Sequence, residues 1–176
     1  MKASRGKTMQ LTHREKTHWS ARNTAVRSTC YLPKDAYVLT LEGQQLVQDL
    51  RPDSRLITRD KGAQPLLSIE KASGPRGAVA VKGTASSDAR IFLDADSLIL
   101  KRDARVISLF GHKEVFLRAG DIGDALQETD KVEFFLLSFG SPQVLYLDEI
   151  EIGTTQSDGD PNGRTILPAH QSQLLS

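Results

Sequence analysis

The chain has a single cysteine, Cys30, in 176 residues. That excludes an internal disulfide and a zinc site built from several cysteines. No apolar run approaches the roughly 18 residues that a membrane helix needs. Net charge is scarce too. The balance is +1, from 23 basic and 22 acidic residues, so the chain as a whole is not drawn to nucleic acid or an anionic membrane. Aromatic residues make up only 6%, and the seven prolines and 13 glycines follow no repeat, which excludes collagen-like and low-complexity classes. The start lacks the apolar core of a secretory signal. Cytoplasm and export without a leader both stay open, because a chain without disulfides is at home in either. His13, His18, His112 and His170 are too scattered for a local ligand set, so no metal and no cofactor is expected.

What is present is uneven. Residues 1–29 hold Lys2, Arg5, Lys7, Arg14, Lys16, Arg22 and Arg27 against Glu15 alone, and the rest of the chain is net acidic. This stretch reads as a basic flexible tail, with a short helix conceivable over Leu11–Ala21. Its charge density is modest for a phosphate-binding arm, so a solvated tail is expected and nucleic acid is not.

From Tyr31 to Ile152 short apolar runs recur between turn signals. They are Tyr37–Leu41, Arg55–Thr58, Leu66–Ile69, Ala78–Val81, Arg90–Leu93, Leu98–Leu100, Val106–Phe110, Val115–Leu117, Val132–Phe139 and Val144–Ile152. Many short strands with closely spaced turns predict an all-β body. Val144–Ile152 alternates with a period of two, and Val132–Phe139 is expected to pair with it across Gly140-Ser141-Pro142. Within this body, helix is expected only at Asp121–Glu128, with Asp121 as cap, and at Leu46–Leu50. The expected organisation is a tail over 1–29, a β domain over 30–152 and a polar C-terminal tail over 153–176, whose last stretch either tucks back or stays mobile. Within that tail, Asp158-Gly159-Asp160-Pro161-Asn162-Gly163 matches half of a calcium loop. The twelfth position is Ala169 rather than Glu, so a solvated turn is expected.

One stretch carries more. It runs through Cys30-Tyr31-Leu32-Pro33, Leu39-Thr40-Leu41-Glu42-Gly43, Val47-Gln48-Asp49-Leu50 and Leu56-Ile57-Thr58-Arg59-Asp60-Lys61-Gly62-Ala63-Gln64-Pro65. In order and spacing it resembles the opening of a bacterial Hint (hedgehog/intein) domain. The later Val132–Leu137 and Val144–Ile150 are similar to that family's closing hairpin. The resemblance spans residues 30–152 and implies a compact horseshoe of many short strands.

The resemblance also implies chemistry. The leading cysteine, Cys30, would attack the carbonyl of Thr29, turn the amide into a thioester and release the residues upstream. A weakly ionised thiol needs a nearby base, and the leaving nitrogen needs a proton. In the family a Ser/Thr-x-x-His element on an internal strand supplies these. Here Asp94 stands at the hydroxyl position and Ser97 at the histidine position. Ser141-Pro142-Gln143 stands where the closing hairpin often carries another histidine. Asp94, Asp96 or His112 are the available substitutes. The His-Asn pair that serves C-terminal cleavage in inteins occurs nowhere in the chain. The expected function is therefore a degenerate Hint scaffold or binding module with an unidentified protein partner. The alternative is an autoprocessing domain that cleaves the Thr29–Cys30 bond. Catalytic candidates are Cys30, Thr29, Asp94 and Ser97. A lone cysteine opening a strand also suits a buried structural role.

Overall fold

The computed structural model describes residues 27–72, 77–83, 89–126, 131–156 and 163–176. The expected helix at Leu11–Ala21 and the half calcium loop before Gly163 lie outside them. Within the described residues the chain is mostly β, with antiparallel sheets. In chain order the first strands are β1 (Ser28–Pro33), β2 (Tyr37–Thr40), β3 (Gly43–Leu46), β4 (Arg55–Thr58), β5 (Gly62–Pro65) and β6 (Ser68–Ala72). The middle holds β7 (Ala78–Lys82), β8 (Arg90–Asp94), β9 (Leu98–Lys101), helix α1 (Ala104–Phe110), β10 (Val115–Arg118), the single turn α2 (Ala119–Ile122) and β11 (Asp124–Ala125). The chain continues with β12 (Phe134–Phe139), β13 (Val144–Leu147), β14 (Ile150–Gly153), β15 (Thr155–Gln156) and the turn α3 (Ala169–Ser172).

Three sheets share the work. A four-stranded sheet runs β15-β1-β12-β6, and a three-stranded sheet runs β11-β7-β8. An eight-stranded sheet runs β10-β9-β14-β13-β2-β4-β5, with β3 beside β2. One apolar cluster joins them, drawing on Leu32 of β1, Leu56 of β4, Leu93 of β8, Leu137 of β12 and Leu147 of β13. Apolar area removed from water is the main drive for such packing. Among the described residues no helix is long and apolar enough to cross a membrane.

Five local expectations are corrected. Val106–Phe110 is not a strand but most of α1. Asp103 caps that helix, accepting the Arg105 and Val106 N–H groups at 2.8 and 3.2 Å, and Gly111 closes it in the left-handed region at φ 72°. Val144–Ile152 is not continuous. It turns at Asp148, which adopts φ 46°, so that β13 and β14 pair as a hairpin. β12 does not pair with β13 but lies between β1 and β6, with Cys30 opposite Leu137. Around Asp121 the helical turn starts earlier than expected, at Ala119, and Asp121 lies inside it. The Leu46–Leu50 candidate contracts to a 3-10 turn, Val47–Asp49.

Candidate functional site

β1 alternates. Ser28, Cys30 and Leu32 face the core, while Tyr31 faces outward and Thr29 is half-buried. This follows from the period of two in extended chain. β12 pairs with β1 along its whole length, and β15 joins on the other side at Ser28 and Thr29. Thr29 stands opposite Ser138 on one flank and Thr155 on the other. The Thr29–Cys30 amide therefore sits inside regular sheet. Among the described residues, the non-glycine residues in the left-handed region are Asp35, Asp53 and Asp148, all away from it.

The Cys30 thiol is buried, and burial alone pushes it up from an ordinary 9.0 to about 12. Loss of water disfavours the thiolate, and no neighbouring cation offsets that cost. At pH 7 only about one molecule in 10⁵ would carry a thiolate. A cysteine in that state is a small apolar side chain.

Asp94 ends β8 and is 4% exposed. β8 packs against β1, so the fold does bring this strand beside the cysteine strand. The Asp94 side chain, however, serves the turn that follows: Oδ1 accepts the Asp96 N–H at 3.0 Å. The Asp94 carbonyl accepts the Ser97 N–H at 2.9 Å, and the Ser97 carbonyl accepts the Ala119 N–H at 2.9 Å. Asp94 and Ser97 thus have a structural employment in the β8–β9 turn. Asp96 is exposed, and its nearest cation is Arg118 at 3.8 Å. His112 is exposed in the connection between α1 and β10, and His170 is exposed in α3. Among the described residues no group of three or more His, Cys, Asp or Glu side chains could hold a metal ion.

Sequence reasoning missed a second polar cluster. Ser28, Thr154 and Gln143 are each at most 2% exposed. The Ser28 and Thr154 hydroxyls share a hydrogen bond of 2.6 Å. The Gln143 N–H donates to Thr154 Oγ1 at 2.8 Å, and the Gln143 carbonyl accepts the Thr154 N–H at 2.9 Å. Gln143 Nε2 donates to the carbonyl and hydroxyl of Ser141, and Lys61 Nζ donates to that same hydroxyl at 3.0 Å. Ser28 faces the core on the same side of β1 as Cys30, yet lies 126 positions from Thr154. The one signal in the sequence was Ser141-Pro142-Gln143, standing where a histidine was expected.

A cavity of about 780 Å³ opens elsewhere, between the end of β7, β9 with Asp103, the β13–β14 turn and Leu175. Neither β1 nor β12 contributes to its wall. Comparison with protein families, with curated proteins and with solved structures found no match for the chain.

Proposed function

We propose that the chain is a Hint-like β scaffold, a binding or structural module for a protein partner, in which self-cleavage at Thr29–Cys30 has been lost. One observation carries this reading: the thiol that would attack is buried and holds its proton. An acyl shift needs an activated nucleophile and a proton donor for the leaving nitrogen. At the matching positions, Asp94 holds the following turn through its side chain, and Ser97 enters that turn through its backbone groups. Support for the Hint-like part comes from the order of motifs that begins at Cys30, from the β-rich body, and from β8 lying against β1.

Intact-mass measurement tests it. Purified protein incubated for days with dithiothreitol at neutral pH keeps its full mass. Loss of residues 1–29, faster with thiol and absent in Cys30→Ala, would establish the autoprocessing alternative and end the scaffold reading.

A further inference from the structure

The segment 163–176 is bound to the body by three separate kinds of contact. β10 is the terminal strand of the eight-stranded sheet, with β9 on its inner side. On its outer side Phe116 sends both backbone groups to this segment. Its N–H donates to the Thr165 carbonyl at 2.8 Å, and its carbonyl accepts the Leu167 N–H at 2.9 Å, in parallel register with Ile166. Leu167 and Leu175 then enter an apolar cluster with Val106, Val115 and Leu117. Ahead of both, Arg164 reaches an acidic mouth. Its Nε bonds Glu114 at 2.7 Å, its Nη2 bonds Asp60 at 2.7 Å, and its guanidinium lies 5.9 Å from the Phe116 ring centroid.

The outer edge of β10, with an apolar cluster and two carboxylates beside it, offers what an extended peptide needs in order to dock, and here the chain covers it with its own residues. We propose that this groove is an interaction surface occupied in cis by residues 164–175. It takes in trans an extended segment of a partner protein that carries an arginine followed, two and three residues later, by apolar side chains. The spacing is that of Arg164, Ile166 and Leu167. The arginine meets Glu114 and Asp60, the extended backbone meets Phe116, and the apolar side chains meet the neighbouring clusters. The cis segment regulates access, because a tethered occupant competes at an effective concentration in the millimolar range. The proposal does not rest on the reading of Cys30.

The probe is a labelled peptide of residues 164–176, titrated into the full chain and into a full chain carrying Leu167→Asp and Leu175→Asp. The substitutions put carboxylates into the apolar cluster and so expel the cis segment. The peptide is expected to bind the substituted chain at least ten-fold more tightly than the unaltered one. A peptide with Arg164→Glu is expected to lose at least ten-fold. Equal affinity for both chains, or indifference to the arginine, overturns the proposal. So does a concentration-dependent dimer of the unaltered chain that the peptide dissolves, which would make a second copy the occupant. Hydrogen exchange on the unaltered chain covers the case in which the substituted one fails to fold. The Leu167 and Phe116 amides should exchange at least 100-fold faster than those of β13, and exchange at the β13 rate overturns the proposal.

Discussion

A thiol taken out of water keeps its proton, since a thiolate at Cys30 would lie among Leu32, Leu93 and Leu137 in the main apolar cluster. The consequence for stability has a definite sign. In the unfolded chain the thiol ionises near its ordinary 9.0, and in the folded chain only near about 12. Below pH 9 both states are protonated and the group is neutral to stability as pH varies. Between the two values the unfolded state has lost a proton that the folded state retains. Stability therefore falls as pH rises, with a slope approaching about 1.4 kcal/mol per pH unit from this group alone. Other side chains titrate in the same range, so the quantity to measure is the difference between wild type and Cys30→Ala. Urea denaturation at pH 8, 9, 10 and 11 is expected to show wild type losing ground steadily above pH 9. A difference that stays flat across that range would mean the thiol reaches water in the folded protein.

Elements show where sequence reading succeeds and where it stops. The strands at Tyr37, Arg55, Ala78, Arg90 and Leu98 were legible because short apolar runs and bounding turns are local properties. Val106–Phe110 was misread because five apolar-rich residues suit either period, and the deciding residues lie outside the run. Asp103 and Gly111 are the helix signals, one at each end. The cap can be tested directly. Asp103→Ala removes the acceptor for two N–H groups at the first turn of α1 and is expected to cost about 1 kcal/mol in urea denaturation. Asp103→Asn keeps an acceptor and should cost less than half as much. Equal losses for the two would mean that the carboxylate acts by charge, through Arg105 at 3.3 Å, rather than as a cap. The pairing of β12 was beyond reach for a different reason. Val132–Phe139 has a turn and a strand directly after it, and local economy favours a hairpin. What draws β12 away is its placement between β1 and β6, where Leu137 and Phe139 join the core, and a pattern read along one strand carries no record of that.

At the scale of the molecule, distant parts of the sequence meet through charge. Arg59, at the β4–β5 turn, bonds Glu114 before β10 at 2.9 Å and Glu151 of β14 at 3.1 Å. Arg102 adds a second bond to Glu151 at 2.6 Å, and Arg164 bonds Glu114 and Asp60 at 2.7 Å each. The same long reach explains why the part of Ser28 in its cluster with Thr154 and Gln143 was illegible: two hydroxyls 126 positions apart leave no local spacing to read. Single exposed ion pairs contribute little, but here the Arg59, Glu114 and Arg164 side chains are only 13–23% exposed and share partners. Glu114 is the hinge of the set, since its two oxygens take one arginine each. Glu114→Gln removes the counter-charge that two largely buried guanidinium groups share, leaving Glu151 to Arg59 and Asp60 to Arg164, and the expected loss is about 1–3 kcal/mol. A double-mutant cycle with Arg164→Ala separates a network from two independent contacts. If Glu114 holds the C-terminal segment through Arg164, then Arg164→Ala costs less in the Glu114→Gln background than in wild type, by at least about 0.5 kcal/mol. Additive losses would mean that Asp60, the Phe116 backbone and the leucines hold the segment without Glu114. Glu114 would then have no part in seating Arg164.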